Sequence, residues 1–498
     1  MDANQNPGRK PAILMDLKPA FDGFAGIPQE TRLLFRGLRQ AGAWDVKGLI
    51  QHGSRRMTPG LSSDDANLSA SSRIFQLSRV IVSLSEATRQ GGRERASYYF
   101  NRHFALEMLR LRSALDSIIP TSTFDSRLFP DFIWRTLFDK TLDPGAKDEV
   151  SMDDFRLLAA PRQHFHKAGM QPLPFVATPC YPRIDTRGFD FFVAQTPFPG
   201  RLTPGTRMVV RYHDAIPLLM PHTISDKAFH QASHYQALRS NIESGAVFTC
   251  VSQATRKDLL TLYPQIEEQT AVIHDMVSED YFEDSSPAAM VSRVVRNRLA
   301  DVDLLNSEKD LDNPVPDEFE YLLVVSTLEP RKNHQMLLNA WERLKYGTHP
   351  HLKLVVVGSL GWDYAPLLKA FKRWAERGEL YYLQNVPSAE LRALYRHARA
   401  TVCPSFAEGF DYAGVEAMRC GCPVAASDIA VHREVYDDAC EYFNPYSVDS
   451  AAHVLANLLA DDGKLRRAEL IAKGRTVSAR YLPASILPAW LNFLHSLK

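Results

Sequence analysis

The carboxyl-terminal third of the chain alternates short apolar runs with helical patterns. Residues 321–326 read Tyr-Leu-Leu-Val-Val-Ser and residues 353–358 read Lys-Leu-Val-Val-Val-Gly, with little of the polar alternation of a half-exposed strand. Such runs are typical of strands that are buried on both faces. Because helical patterns separate the runs through residue 480, we predict an α/β fold with a parallel sheet covered by helices on both sides.

Length, charge and cysteine content narrow the class of protein. A chain of 498 residues should form two or more domains, and its 58 basic and 58 acidic residues disfavour nucleic acid as a partner. No apolar run approaches the roughly 20 residues of a membrane span, and the amino terminus lacks the apolar core of a signal peptide. The six cysteines are too scattered for a disulfide framework. We therefore expect a cytoplasmic protein without nucleic-acid partners.

The amino-terminal region begins with a βα unit. Residues 12–17 are typical of a strand, the following turn contains Gly23 and Gly26, and Pro28 begins a helix that should run to about Gln40. The turn lacks the third spaced glycine of a dinucleotide-binding fingerprint. On the residues alone, a tight structural turn and a turn that faces a ligand are about equally good interpretations.

A histidine and an aspartate directly follow a later strand. Further strands are predicted at residues 189–194, 207–212, 247–252 and 271–273. Ser252 should cap the helix that follows it. His213 and Asp214 come at the end of the strand 207–212, and ligands of open α/β sheets bind outside the carboxyl ends of the strands. A lone histidine is usually structural, but this position favours a hydrogen bond to a ligand hydroxyl, with Asp214 orienting the ring.

A polar segment should connect two domains. Residues 285–317 contain one helical pattern followed by a charged stretch with two prolines. Asp301 and Asp303 within it have the D-x-D spacing of some manganese sites. No strand precedes this pair, so we reject that role and expect no metal site.

Two adjacent cations follow the first strand of the carboxyl-terminal region. Arg331 and Lys332 lie between the strand 321–326 and a helix predicted from His334 to Leu344. Arginine offers a fork to phosphate oxygens and lysine a point charge. Cations at a helix start oppose the helix dipole unless an anion joins them, so two plain surface cations are the weaker interpretation. The pair predicts a phosphate-binding site.

A later loop carries two carboxylates. Residues 400–403 should form a buried strand, and a helical pattern that begins at Tyr412 ends at Gly421. Glu408 lies in the loop between them, and Glu416 lies about one turn into the helix. Free backbone N–H groups at a helix start suit a phosphate, and carboxylates accept hydrogen bonds from sugar hydroxyls. A ligand with hydroxyls on both sides of a phosphate group describes a nucleotide sugar.

This loop resembles the signature of a known family. Residues 404–418 read Pro-Ser-Phe-Ala-Glu-Gly-Phe-Asp-Tyr-Ala-Gly-Val-Glu-Ala-Met. The E-x7-E spacing of Glu408 and Glu416 within them resembles the EGFG-x-x-x-x-E-A-M segment of retaining GT-B glycosyltransferases of family 4, the glycosyl transferases group 1. Residues 327–333 (Thr-Leu-Glu-Pro-Arg-Lys-Asn) and the segment around His213 resemble two further motifs of that family.

The chain departs from the signature at three positions. Asp411 stands where glycine is more common, and Tyr412 and Ala413 stand where Leu-Pro is common. Asp411 has two interpretations: its side chain caps the helix, or it places a negative charge near the phosphate and weakens donor binding.

The resemblance implies a GT-B fold, in which two Rossmann-like domains with parallel sheets face a cleft. Residues 1–312 would form the amino-terminal, acceptor-side domain, with a helical insertion near residues 71–150. Residues 313–480 would form the nucleotide-sugar domain, and residues 481–498 a helix that crosses back to the first domain.

The resemblance also implies a reaction. The chain would be a retaining, metal-independent glycosyltransferase that moves a hexose, with a mannose-type sugar favoured, to a hydroxyl of a glycan or lipid-linked acceptor in bacterial surface polysaccharide synthesis. The donor would be a nucleotide sugar, with a GDP-sugar favoured over a UDP-sugar, and no other cofactor is implied.

Roles follow for individual residues. Arg331 and Lys332 would hold the diphosphate, Glu408 the transferred sugar and Glu416 the ribose, while His213 would approach the transferred sugar. The remaining substrate-binding residues would be Gly23, Gly26, Asp214, Val386, Gly409, Phe410, Asp411 and Tyr412, with Val386 near the base.

Two other functions stay open. A catalytically inactive nucleotide-sugar-binding or scaffold protein would share the same site, and Asp411 is the residue that favours it. A GT-B epimerase would need a carboxylate pair for proton transfer in the cleft, and the sequence offers no such pair.

A basic segment precedes the second group of strands. Residues 73–112 contain eight arginines and three glutamates, interleaved with apolar residues in helical patterns that should extend from residue 71 to 119. Such helices could lie on an anionic membrane surface, which would give peripheral contact with the inner membrane face. Two ordinary amphipathic helices whose basic faces are solvated are the slightly better interpretation of the sequence alone.

Overall fold

The structure is a computed structural model that describes residues 10–24, 26–62, 65, 67–85, 92–299 and 315–498, with the backbone alone for residues 92–102. Two large, mainly parallel sheets dominate it, and apolar cores lie on both faces of each sheet. The α/β architecture expected from the apolar runs is confirmed.

The amino-terminal half holds an eight-stranded sheet and a small three-stranded sheet. Its strands in the described ranges are β1 (Ala12–Asp16), β2 (Asp45–Ile50), β3 (Ile118–Ile119), β4 (Ser122–Asp125), β5 (Asp154–Leu157), β6 (Arg183–Ile184), β7 (Phe191–Ala194), β8 (Arg201–Leu202), β9 (Arg207–Tyr212), β10 (Val247–Cys250) and β11 (Thr270–Val272). The large sheet has the order β11-β10-β9-β7-β1-β2-β5-β4, and only the pair β4 and β5 is antiparallel within it. β3, β6 and β8 form the small sheet.

Helices pack around these strands. The described helices that precede residue 300 are α1 (Gly26–Gln40), α2 (Ala70–Ser85), α3 (Gly92–Ala114), α4 (Pro130–Ile133), α5 (Lys147–Ser151), α6 (Arg162–Met170), α7 (Ile216–Leu219), α8 (Lys227–Glu243), α9 (Gln253–Leu262) and α10 (Ala289–Leu299), and of these α10 packs on the carboxyl-terminal half instead. Ser252 caps α9 as predicted, because its side chain accepts a hydrogen bond from the backbone N–H of Thr255 at 3.1 Å.

The helical pattern predicted for residues 71–119 is wrong at its end. α3 ends at Ala114, and Ile118–Ile119 forms β3, which pairs with β6. Asp116 has a φ of 51°, a left-handed conformation that an α-helix cannot continue. The region expected to be a helical insertion near residues 71–150 also contains β4, which extends the large sheet by pairing with β5.

The carboxyl-terminal half is built on a six-stranded parallel sheet. Its strands are β12 (Tyr321–Val325), β13 (Lys353–Val357), β14 (Leu380–Leu383), β15 (Ala400–Cys403), β16 (Val424–Ser427) and β17 (Cys440–Phe443). They lie in the order β14-β13-β12-β15-β16-β17, and every neighbouring pair is parallel. The helices are α11 (His334–Tyr346), α12 (Ala365–Ala375), α13 (Ser388–His397), α14 (Tyr412–Arg419), α15 (Ala430–Tyr436), α16 (Val448–Leu459), α17 (Lys464–Ala479) and α18 (Pro483–Ser496).

The last helix, α18, packs on the amino-terminal half. Trp490, fully buried, belongs to the same core as Ile13 of β1 and Phe35 of α1. The segment that leaves this half and the segment that returns to it lie side by side, because the N–H of Val277 donates to the carbonyl of Tyr481 at 2.8 Å. The two halves are therefore joined by two adjacent stretches of chain.

Two further findings concern the segments that the sequence singled out. α10 packs against α13 and β14 of the carboxyl-terminal half, and residues 300–314 after it, including Asp301 and Asp303, lie outside the described residues. None of the described helices is both long and apolar enough to cross a lipid bilayer.

Candidate active site

A cavity of about 830 Å³ lies between the two halves, a size that is ordinary for a small-molecule site. The carboxyl ends of strands from both sheets reach it, which is where open α/β sheets bind ligands. The structure brings all thirteen residues singled out from the sequence to its wall. They are Gly23, Gly26, His213, Asp214, Arg331, Lys332, Val386, Glu408, Gly409, Phe410, Asp411, Tyr412 and Glu416.

The two predicted cations hold a carboxylate between them. Arg331 and Lys332 lie on the turn Pro330–Lys332, which follows β12 after four residues, and Glu408 reaches them from the loop after β15. Glu408 Oε2 lies 2.7 Å from Arg331 Nη1, and Glu408 Oε1 lies 2.5 Å from Lys332 Nζ. Burial alone would raise the pKa of Glu408, but the two cations hold it well below its usual range. The carboxylate therefore stays ionised.

A second carboxylate on this cluster was not singled out from the sequence. Glu329, which is 6% exposed, places Oε1 2.6 Å from Arg331 Nε. Burial raises its pKa, and the charges of Arg331 and Lys332 partly offset that rise. Glu329 lies between leucine and proline in the Thr-Leu-Glu-Pro-Arg-Lys-Asn segment, and nothing in that local sequence indicates its role. Only the folded turn brings its side chain to Arg331.

The start of α14 is capped as the sequence suggested. Asp411 has a φ of 98°, and its Oδ1 accepts a hydrogen bond from the N–H of Ala413 at 3.3 Å. Its Oδ2 lies 3.1 Å from His432 Nε2. Burial opposes ionisation of Asp411, but the hydrogen bond with His432 holds its pKa below the usual range. The carboxylate therefore has two partners of its own, and the capping interpretation is confirmed.

Gly409 is where the loop of the carboxyl-terminal half meets the other sheet. A Cβ on this residue would lie 1.8 Å from the carbonyl oxygen of His213, so no larger residue fits. The carbonyl of Gly409 accepts a hydrogen bond from Ser252 Oγ at 2.8 Å. The cavity therefore closes at this point by backbone contact between the two halves.

Glu416 is almost fully buried, and both of its oxygens have partners. Oε1 accepts from Gln29 Nε2 at 2.9 Å, and Oε2 accepts from the hydroxyl of Tyr395 at 3.0 Å. Burial raises the pKa of Glu416 to about 7, although these hydrogen bonds lower it. Gln29 belongs to α1, so this carboxylate on α14 is bound by the opposite half.

A buried charge network lies beside it, and sequence reasoning missed it. Arg211, which is fully buried, lies 2.7 Å from Asp275 and 3.1 Å from Glu30. The hydroxyl of Tyr412 donates to Glu30 Oε2 at 3.3 Å, which joins α14 to α1. Burial raises the pKa of Asp275 to about 8, the charge of Glu30 adds to the rise and Arg211 opposes it. No local pattern links these four residues, which only the packed fold brings together.

His213 and Asp214 lie at the end of β9, as predicted. Burial and the nearby charge of Arg211 hold the pKa of His213 well below its usual value, so the ring is neutral. Its Nε2 has no hydrogen-bond partner among the described residues. Asp214 accepts from the N–H of Ile216 at 3.0 Å, and burial raises its pKa.

The other predicted positions complete the wall. A Cβ on Gly26 would touch the ring of Tyr412 at 3.5 Å, and the carbonyl of Gly23 accepts from Arg32 Nη1 at 3.0 Å. Val386 is buried just after β14. Within the described ranges, no three histidine, cysteine, aspartate or glutamate side chains are grouped as a metal ion would require.

Comparisons with known proteins agree with this architecture. Residues 306–477 match the family model of Glycosyl transferases group 1. O-antigen chain mannosyltransferase B of Escherichia coli is 31% identical over 227 residues, which are 45% of this chain and 55% of that protein. Serotype-specific mannosyltransferase WbdA of Escherichia coli is 28% identical over 296 residues, which are 57% of this chain and 32% of that protein. The chain thus spans about half or less of the length of these relatives.

Solved structures are similar over almost the whole chain. Sucrose-phosphate synthase from Thermosynechococcus elongatus has a TM-score of 0.58 at 15% identity, and the match covers 98% of this chain and 99% of that one. Anabaena HepE in complex with UDP-glucose has a TM-score of 0.56 at 14% identity, covering 97% and 99%. At these identities the similarity shows the fold, which is that of the GT-B glycosyltransferases.

Proposed function

Because the chain carries a Glycosyl transferases group 1 domain within a GT-B fold, we propose that it is a retaining, metal-independent glycosyltransferase. It moves a hexose from a nucleoside diphosphate sugar to a hydroxyl of a glycan or lipid-linked acceptor. A mannose-type sugar carried by GDP is favoured over a UDP-sugar, since O-antigen mannosyltransferases are among the relatives. Bacterial surface polysaccharide synthesis is the corresponding process.

The cluster of Arg331, Lys332 and Glu408 carries this proposal. Two cations on the turn after β12 line the same cavity as the start of α14, and a helix start suits an anion even though Asp411 already caps the N–H of Ala413 there. A departing diphosphate gains negative charge as the bond to the sugar breaks, and fixed cations and amides stabilise that charge without a metal ion. Since Glu408 occupies both cations in this structure, the diphosphate takes one or both contacts and leaves Glu408 for a sugar hydroxyl.

The remaining contacts fit the two ends of the donor. Glu416 accepts hydrogen bonds from the ribose hydroxyls, and Val386 lies near the base. Neutral His213, whose Nε2 is unpartnered among the described residues, hydrogen-bonds a hydroxyl of the transferred sugar. The leaving phosphate accepts the proton of the acceptor hydroxyl, so the proposal assigns no side chain as a general base. All six cysteines are unpaired, which supports a reducing compartment such as the cytoplasm.

A binding protein without turnover is the alternative. This alternative requires that Asp411 repel the diphosphate. The carboxylate of Asp411 instead forms hydrogen bonds with the N–H of Ala413 and with the ring of His432. That geometry favours the enzyme.

Release of nucleoside diphosphate from GDP- and UDP-sugars, with and without short glycan acceptors, tests the proposal. Arg331→Ala and Lys332→Ala should each lower kcat by roughly 100-fold or more, the usual effect of removing a group that stabilises developing charge. Arg343→Ala is a matched control, because this arginine is 61% exposed and pairs with surface Asp449. Donor binding without release from any donor would favour the binding protein, and turnover unchanged in both variants would overturn the proposal.

A further inference from the structure

Helix α3 carries apolar side chains on its outer face as well as on its inner one. On the inner face, Leu109 and Ser113 are buried, and Ser113 Oγ donates to the carbonyl of Cys180 at 2.5 Å. On the outer face lie Phe104, Met108 and Leu111, which are 58%, 40% and 53% exposed. Leu115 follows directly after the helix, is 68% exposed, and continues its hydrogen bonding through its N–H to the carbonyl of Leu111. Steps of four, three and four residues place these four side chains in one line, which we name the α3 stripe.

The α3 stripe is not what a solvated helix presents. Single exposed apolar residues are common on proteins, but an aligned group marks a surface that contacts something else. The interpretation of residues 71–119 as ordinary amphipathic helices requires a polar outer face, and the described part of α3 has an apolar one. α2 repeats the arrangement, since Phe75 and Val82 are exposed while Leu77 and Val80 are buried.

The charge around these helices identifies the partner. α3 contains five arginines and two glutamates, an excess of three positive charges in a chain that is neutral overall, and α2, which packs on a different core, adds two more arginines. Arg73, Arg79 and Arg112 are exposed. An apolar surface with basic flanks is complementary to a bilayer that contains anionic lipids. A second copy of the same surface would bring like charges together.

We propose that the α3 stripe docks on an anionic lipid surface, with its apolar side chains at the boundary of headgroups and acyl chains and the arginines against lipid phosphates. This inference goes beyond the transfer reaction and does not rest on it. Its test therefore uses no turnover, and a failure of either proposal leaves the other intact.

Flotation of the full chain with phosphatidylcholine vesicles, with and without phosphatidylglycerol, tests the docking. The chain should float with the anionic vesicles only, and less so as salt is raised. The double variant Phe104→Ser, Leu115→Ser should lower the partition coefficient roughly tenfold or more, since two apolar contacts with lipid are lost. The matched variant Phe175→Ser, Leu465→Ser removes the same two residue types from positions 89% and 85% exposed, and it should bind like the unchanged protein.

Three results would overturn the proposal. They are absence of flotation, equal flotation with neutral vesicles, and unchanged binding of the α3 stripe variant. Light scattering on the unchanged protein and on the α3 stripe variant tests a fourth result. If the unchanged protein is a dimer and the variant is a monomer, the surface serves self-association and the proposal is overturned. Equal melting temperatures for the two double variants would show that the comparison concerns binding alone, and a melting shift of the α3 stripe variant would show a structural role and count against docking.

Discussion

Replacing Glu416 by glutamine should remove a pH dependence from donor binding. The carboxyl of Glu416 is buried against Gln29 and Tyr395, and burial raises its pKa to about 7. If the ionised carboxylate accepts the ribose hydroxyls, a donor binds one protonation state and excludes the other. Glutamine cannot titrate, so the variant should bind more weakly and should lose the part of the pH dependence that comes from residue 416.

The size of the effect follows from that pKa. With a pKa of about 7, roughly a tenth of the protein is ionised at about pH 6 and roughly nine tenths at about pH 8. The dissociation constant of the unchanged protein should therefore fall roughly tenfold more over this range than that of Glu416→Gln. Any slope that both proteins share belongs to other groups of the cavity wall, such as Asp275, whose pKa is about 8. The donor does not add a slope of its own, because its diphosphate is esterified at both ends.

Stability gives an independent check on the same group. Raising the pKa of Glu416 from 4.5 to about 7 in the folded protein costs the ionised form about 3 kcal/mol. The protonated carboxyl of Glu416 therefore contributes about 3 kcal/mol to the free energy of unfolding. This contribution is fully present below about pH 4.5 and is lost as pH rises through about 7. The free energy of unfolding of the unchanged protein, measured against Glu416→Gln in urea, should fall by that amount over this window.

Isothermal titration calorimetry with a nucleoside diphosphate sugar, at several pH values, measures the slope. Glu408→Gln is the control, since the pKa of Glu408 lies far below neutrality and its loss should weaken binding without changing the slope. A flat profile for the unchanged protein, or an equal slope in Glu416→Gln, would refute the contact with ribose. A pH-dependent stability difference without a matching slope in affinity would show that Glu416 titrates but does not touch the donor.

Two further predictions concern packing. Gly409→Ala places a Cβ 1.8 Å from the carbonyl oxygen of His213 and should weaken donor binding at least roughly tenfold in calorimetry. Gly145→Ala is the control, because its Cβ meets only the side chain of Asp143, at 3.0 Å, and the residue is not part of the cavity wall, so this variant should bind the donor normally. Equal affinities of the two variants would contradict the backbone contact at Gly409. Trp490→Ala removes a fully buried side chain from the core of the amino-terminal half and should lower the free energy of unfolding in urea by about 3–5 kcal/mol. Leu465→Ala is the control and should change this free energy little, because Leu465 is 85% exposed. A loss below about 1 kcal/mol for Trp490→Ala would contradict its place in that core.

Features encoded over a few residues could be predicted from the sequence. The strand at residues 321–326 is recognisable because a continuous apolar run is typical of a strand that is buried on both faces. The caps at Ser252 and Asp411 are recognisable because a short polar side chain precedes a helical pattern at each position. The positions of Arg331 and Glu408 on one cavity followed from parallel topology, since both come after strands of the same sheet. The roles assigned to them remain predictions.

Features that depend on distant residues could not be predicted. Glu30, Arg211 and Asp275 lie in three separate elements, and an ionisable residue in a strand or helix gives no sign of being buried until its partners are known. Gln29 is likewise an ordinary polar residue of an amphipathic helix until Glu416 is placed beside it. The end of α3 was mispredicted for the same reason, because β3 exists through its pairing with β6.

The two stretches of chain that join the halves lie side by side at Val277 and Tyr481, and this limits how the halves can move relative to each other. A movement that separates the walls of the cavity would keep these two stretches together, while it would break contacts between the halves such as Gln29–Glu416 and Ser252–Gly409. The tail reinforces this arrangement, because Leu497 accepts a hydrogen bond from Arg207 and the amine of Lys498 lies 4.7 Å from the ring of Trp44. A fluorophore attached at Lys498 would therefore move with the amino-terminal half, and a second one on the exposed surface of α12 would report any such movement as a change in distance.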